Sequence, residues 1–365
     1  MNPRVQELAT RLRQGTELCA DQLVLELEGC RLRIRSNSPE LLYQLGDYFD
    51  FVRTDAGDAD IEVIAIDSAV LDTGIDFTDW SREPGKTGRK DAYHDLPGAR
   101  LVHKVRTGML FLQSEELRIA AGPCRHYDNQ VINFVNSQYM NWLQQRDWLI
   151  CHAAALCSGE RGLAIAGFSG GGKSTLMLHI LERDRTAFLS NDRVFIRRQD
   201  DALQMRGIAK LPRINPGTLL NNSKLHVLAT PQQLQHWDAM STDELWHLEE
   251  KYDVPVRRVY GEDRIRLAGP LTSLLILNWR RDSDAPTALE RVDLEQRTEL
   301  LGAVMKSPGP FYQYADGRFL DDGTPFDEAA YLGALANTAV YEVTGVIDFE
   351  AVAAQCHRTL LSGTA

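Results

Sequence analysis

Apolar side chains recur at helical spacing at Val5, Leu8, Ala9 and Leu12. They then fall on alternate positions at Leu23, Leu25 and Leu27 and again at Cys30, Leu32 and Ile34. A period near 3.6 lines one face of a helix and a period of 2 lines one face of a sheet, so the chain is expected to open with a helix and a hairpin. Ser38 ahead of Pro39 and Glu40 predicts a capped helix running to about Phe49, because the hydroxyl can accept from a free amide and proline suits the first turn. Residues 60–66 read as a strand, and residues 100–106 with 109–112 as a second hairpin about Thr107 and Gly108. Between them, residues 67–97 are rich in Gly, Asp and Lys and are expected to form a long loop.

Gly122-Pro123 interrupts the pattern. Beyond it, Val131, Ile132, Val135, Tyr139, Trp142 and Leu143 mark a helix over residues 128–146. A domain boundary is placed at that break, giving a smaller N-terminal α+β domain over 1–123 and a larger domain over 124–365. In the second domain, residues 148–156 and 162–166 read as strands, 173–183 as a helix, and 187–189, 194–197, 274–277 and 339–343 as further strands. A helix over 349–361 closes the chain.

A chain of 365 residues suits two cores rather than one, and 44% apolar with 25% charged residues is ordinary globular composition. The formal charge of −11 argues against nucleic acid or an anionic membrane as partner, since both draw their binding from clustered Lys and Arg. No stretch reaches the roughly 20 apolar residues that span a bilayer, and residues 1–12 lack the apolar core of a signal peptide, so a cytoplasmic location is expected. The six cysteines show no C-x-x-C pair and are read as reduced, mostly buried thiols.

The chemistry concentrates in Gly167-Phe168-Ser169-Gly170-Gly171-Gly172-Lys173-Ser174, which meets the phosphate-loop pattern GxxxxGK[ST] in full. Leu163 to Ala166 supply the apolar strand before it, and Leu176, Met177 and Ile180 the buried face of the helix after it. Glycines at Gly167, Gly170, Gly171 and Gly172 let successive N–H groups, with that of Ser169, turn toward one anion at a helix start. Lys173 is expected to reach the β- and γ-phosphates of ATP, Ser174 to coordinate magnesium, and Thr175 to border the site. A neighbouring strand end should provide a carboxylate, and Asp192, after Ala187-Phe188-Leu189, is chosen as metal ligand and catalytic residue.

With Cys151-His152-Ala153-Ala154, GFSGGGKST and Ser190-Asn191-Asp192-Arg193-Val194 on the page, the chain resembles the HPr kinase/phosphorylase superfamily. That superfamily shares its P-loop arrangement with bacterial phosphoenolpyruvate carboxykinases, and the likeness is greatest to the HprK-related kinase B family. The resemblance implies an α/β P-loop kinase domain of that type, with His152 beside the γ-phosphate. It also implies catalytic roles for Asp192, His152 and Lys173, and Asp192 would match the second of an acidic pair. HPr kinases carry Asp where this chain has Asn191, and Leu211 to Gly217 stand where they have a glycine-rich substrate loop. The expected function is ATP-dependent phosphate transfer to a protein or small-molecule hydroxyl, and a homo-oligomer is compatible with it. A non-catalytic or switch-type nucleotide-binding protein is the alternative. Two basic clusters are candidate acceptor sites: Arg82, Lys86, Arg89, Lys90, Arg100, Lys104 and Arg106 in the first domain, and Lys210, Arg213 and Lys224 in the second. Arg280 and Arg281, at a strand end, are further candidates for phosphate contact.

Overall fold

The computed structural model describes residues 2–55, 57–82, 87–168, 171–248 and 250–362. The chain is a mixed α/β protein that divides into two compact units, Met1–Asp147 with Ser307–Pro325, and Trp148–Lys306 with Phe326–Ala365.

The first unit runs α1 (Pro3–Arg13), β1 (Gln22–Leu27), β2 (Cys30–Ser36), α2 (Pro39–Tyr48), β3 (Arg53–Thr54), β4 (Ile61–Asp67), β5 (Thr78–Asp79), β6 (Asp91–Leu96), β7 (Ala99–Lys104), β8 (Met109–Ser114), β9 (Arg118–Gly122) and α3 (Asp128–Gln144). Its strands form one sheet in the order β3-β1-β2-β4-β9-β8-β7-β6-β5. The opening elements match the sequence pattern. Val5, Leu8, Ala9 and Leu12 of α1 pack on Ile64, Leu101, Leu112 and Ile119 of the sheet. The β1–β2 turn sets both Glu28 (φ 47°) and Gly29 (φ 85°) in the left-handed region that tight hairpins require. Ser38 caps α2 by accepting from the Leu41 amide at 3.2 Å.

Two expectations change here. The long loop is interrupted by β5 and β6, the latter pairing with β7 from Asp91↔Lys104 to Leu96↔Ala99. The units also divide between Asp147 and Trp148 rather than at Gly122-Pro123, and α3 belongs to the first unit. That unit recruits residues 307–325 through polar anchors at which Arg100 is central. Its buried guanidinium donates to Asp95 at 2.6 and 2.9 Å and to the carbonyls of Pro310 at 3.2 Å and Leu320 at 2.9 Å. Gln113 and Asn141 both donate to the Phe311 carbonyl, at 2.9 and 2.7 Å.

Members of the first basic cluster have partners within the unit, and the buried Arg100 is structural. Arg89 pairs with Asp79, Lys104 with Asp91 at 2.6 Å, and Arg82 donates to the Thr87 carbonyl. Lys86 lies outside the described residues.

The second unit contains β10 (Leu149–Cys151), β11 (Ala153–Ser158), β12 (Arg161–Gly167), α4 (Lys173–Leu181), β13 (Ala187–Ser190), β14 (Val194–Gln199), β15 (Ala202–Arg206), β16 (Arg213–Ile214), α5 (Pro216–Leu220), α6 (Pro231–Asp238), α7 (Thr242–His247), β17 (Tyr252–Asp253), α8 (Val256–Tyr260), β18 (Ala268–Pro270), β19 (Ser273–Leu277), β20 (Ala288–Val292), α9 (Glu328–Leu335), β21 (Ala339–Thr344) and α10 (Phe349–Cys356). Its main sheet has the order β13-β11-β12-β19-β21-β20, with β12, β19 and β21 mutually parallel, and a second sheet has the order β10-β14-β15-β18.

Strand β12 is apolar on both faces, as a strand covered on both sides must be. Leu163 and Ile165 join a core with α4 and α10, while Ala164 and Ala166 join another with β14 and β15. All six cysteines are free and five are buried. Burial pushes the Cys151 thiol up to about 12, so it stays protonated at neutral pH. No helix among the described residues is long and apolar enough to cross a membrane.

Candidate functional site

The glycine-rich segment expected to bind phosphate lies between the end of β12 and the start of α4, at the carboxyl end of the three parallel strands. Such a position is where open α/β sheets bind ligands. Gly172 has φ 79°, and a Cβ there would lie 2.6 Å from Cζ of Phe349, so both conformation and space demand glycine. The Gly171 amide donates to the Phe168 carbonyl at 2.9 Å, and the Trp279 indole N–H donates to the Gly171 carbonyl at 2.9 Å. Trp279 thus ties the loop to the segment that follows β19. Lys173 reaches back over the loop and donates to the Gly167 carbonyl at 3.2 Å, which places its ammonium at the loop's mouth. Ser169 and Gly170, both assigned to phosphate binding from sequence, lie outside the described residues.

The residue opposite Ser174 is Asn191, not Asp192. The Ser174 hydroxyl donates to Asn191 Oδ1 at 2.8 Å, and the Thr175 and Thr218 hydroxyls lie 2.9 Å apart beside it. Asp192 follows in the left-handed region at φ 73°, a conformation costing about 1 kcal/mol that aspartate tolerates better than most residues. Its carboxylate accepts from Arg193 at 2.9 Å and faces His152 Nε2 at 3.3 Å. Burial pushes the Asp192 carboxyl up, but the His152 hydrogen bond and the charges of Arg193 and Lys306 outweigh it and hold the group well below the usual carboxylate range.

His152 sits where residues 148–156, expected as one strand, break into β10 and β11 in different sheets. Its amide donates to the Val304 carbonyl at 2.7 Å, so the break is pinned rather than frayed.

These groups line one cleft of about 1190 Å³ whose other wall is basic. Lys210, Arg213 and Lys251 all border it; Arg213 pairs with Asp253 at 3.2 Å and Lys251 donates to Asn215. Burial, helped by Arg193, lowers the Lys210 pKa to about 8, which for a lysine means that the cleft disfavours its charge. Its folded pKa lies below its unfolded one. Lys210 therefore costs stability at neutral pH, and the penalty fades as pH rises from about 8 toward the ordinary lysine value. A bound polyanion reverses that preference and draws a proton onto Lys210. Affinity for magnesium tripolyphosphate should therefore fall as pH rises through about 8, and Lys210→Met should flatten the profile; calorimetry over pH 7 to 10 reads both.

Of the residues singled out from sequence, His152, Gly171, Gly172, Lys173, Ser174, Thr175, Asp192, Lys210, Arg213 and Arg281 line this cleft. Arg280 turns to Asp282 at 3.1 Å, and Lys224 lies over the Tyr260 ring. Sequence reasoning did not single out Thr218, Lys251, Trp279 or Phe349. Of these, Trp279 left a signal, as a large apolar residue two positions after the predicted strand 274–277.

No family model matches the chain, and no curated protein matches it. Among solved structures, the HPr(Ser) kinase/phosphatase from Coxiella burnetii is similar over 57% of this chain and 90% of that chain, at 12% identity and a TM-score of 0.28. So distant a likeness carries no argument about activity.

Proposed function

We propose that this chain is an ATP-dependent kinase of the P-loop type that passes the γ-phosphate to a hydroxyl of a protein or small-molecule acceptor. The observation that carries the reading is the gathering of Lys173, the Ser174–Asn191 pair and the His152–Asp192 pair in one cleft at the carboxyl end of β12.

The loop's backbone and Lys173 would hold the β- and γ-phosphates. Ser174 Oγ and Asn191 Oδ1 are hard oxygen donors 2.8 Å apart that fit magnesium, with Asp192 the adjacent carboxylate. Magnesium bound with the nucleotide would neutralise charge building on the phosphate oxygens. Asp192 would accept the acceptor's proton or orient its hydroxyl, and His152, held by Asp192, would donate to the transferred group. A loose phosphoryl-transfer transition state asks more of positioning and positive charge than of a strong base, which suits a carboxylate kept this acidic.

One observation favours the switch-type alternative: the Asp192 carboxylate is already engaged by His152 and Arg193. The two readings part on turnover. Incubation with γ-labelled ATP and extract from the source cells should label an acceptor in a protein-dependent way, and ATP occupancy without any transfer would favour the switch.

A further inference from the structure

The phosphate loop rises from a strand in the middle of its sheet, and the two flanks differ in chemistry. On the β11 and β13 side stand His152, Asn191 and Asp192, the groups able to act on a phosphate being transferred. On the β19 and β21 side the cleft is bordered by Arg281, Val346, Ile347 and Phe349, with His179 from α4. A nucleoside triphosphate that places its γ-phosphate against the first flank must leave the loop toward the second. We propose that Val346, Ile347 and Phe349, with His179 and Arg281, form the nucleobase site and receive a flat purine ring. The inference rests on reading the loop as a triphosphate site.

The second flank is built to hold its shape. The turn after β21 is pinned by the Val346 amide donating to the Ala285 carbonyl at 2.9 Å and the Arg280 amide donating to the Gly345 carbonyl at 2.9 Å. Gly345 has φ 82°, and a Cβ there would lie 2.1 Å from the Pro286 carbonyl oxygen, so the turn has little room to shift. Phe349 packs edge-to-face on Trp279 with centroids 5.0 Å apart and stacks on His179 at 5.8 Å, while its edge meets Gly172. The aromatic platform is thus fastened to the loop that would hold the phosphates, and base and phosphate positions are set together.

Val346 remains 37% exposed although it is a large apolar residue lining the cleft. Of the carboxylates nearest in sequence, Asp348 caps α10 through the Ala351 amide at 2.9 Å, and Glu350 pairs with Arg183 and lies 3.8 Å from Nδ1 of His179, fixing the ring that stacks on Phe349. An apolar wall beside an aromatic ring and two cation-capable side chains suits a π-faced heterocycle; a hydroxyl acceptor would have to meet the opposite flank.

The test compares magnesium ATP with magnesium tripolyphosphate, which shares the phosphates and lacks the base, by calorimetry on the wild type, Val346→Asp and Val346→Ala. The wild type should bind ATP the tighter. Val346→Asp should weaken ATP by roughly tenfold or more while changing tripolyphosphate by no more than about twofold. Val346→Ala should shift ATP in the same direction by less, and it covers the case in which the aspartate variant misfolds. Unchanged ATP affinity in both variants, or an equal loss of both ligands, overturns the base site and leaves the phosphate loop standing. Wild-type protein that binds neither ligand overturns the phosphate-loop reading itself, and the base site with it.

Discussion

Lys173→Ala should lower ATP affinity or turnover by at least an order of magnitude while leaving the fold intact. The lysine is the first residue of α4, where alanine is an excellent helix former, and its ammonium contacts the Gly167 carbonyl. Alanine at the helix start should keep α4 in place. Removal of the lysine, by contrast, deletes the cation held at the mouth of the loop, where it would meet charge on the β- and γ-phosphates with few competing waters. Backbone amides would remain, so tripolyphosphate binding should weaken rather than vanish. Calorimetric titration with magnesium ATP and a turnover assay read the two quantities separately. Wild-type values for both would remove the loop from the site and with it the kinase proposal.

The strand and helix that flank the glycine-rich segment were legible because local signals agree: an apolar run at β12, a glycine at Gly172 where φ is positive, and an apolar face on α4. Contacts between residues far apart in sequence were not legible in this way. Residues 307–325 join the first unit through carbonyls of Pro310, Phe311 and Leu320, and backbone acceptors leave no trace in side-chain periodicity. The β10–β11 break was hidden for a related reason. The apolar pattern continues through it, and backbone pairing of Cys151 and His152 with residues 304–305 marks where the chain changes sheets.

Asn191 is the instructive case within the site. It is an amide where HPr kinases carry a carboxylate, and the sequence alone points to Asp192 rather than Asn191 as the metal partner of Ser174. The left-handed turn at Asp192 sends the two neighbouring side chains apart, one to Ser174 and the other to His152 and Arg193. Which of two adjacent polar residues faces a given partner depends on that one dihedral angle, and composition does not encode it. Asp tolerates the angle better than most residues, so the sequence permitted the turn without announcing it.

Asp192→Asn should separate binding from transfer. Asparagine has nearly the same shape and also tolerates φ near 70°, so the turn after β13 should persist and ATP affinity should stay within about threefold. The charge is what is lost. Without it the imidazole of His152 loses the carboxylate that orients it, Arg193 loses its ion partner at 2.9 Å, and the acceptor hydroxyl has no anionic oxygen to take its proton. Positioned proton transfer is worth about 10²- to 10⁴-fold, and losing it together with the orientation of His152 should cut phosphate transfer by roughly that range. The pH profile supplies a second reading. Because the Asp192 carboxyl is held well below the usual carboxylate range, it is already ionised from mildly acidic pH upward, and the wild-type rate should show no acid limb due to it near neutrality. Single-turnover transfer from labelled ATP, run beside equilibrium binding, distinguishes the cases. Transfer within tenfold of wild type would make Asp192 only a structural clamp on His152 and Arg193. A parallel collapse of ATP binding would return it to the nucleotide and metal site.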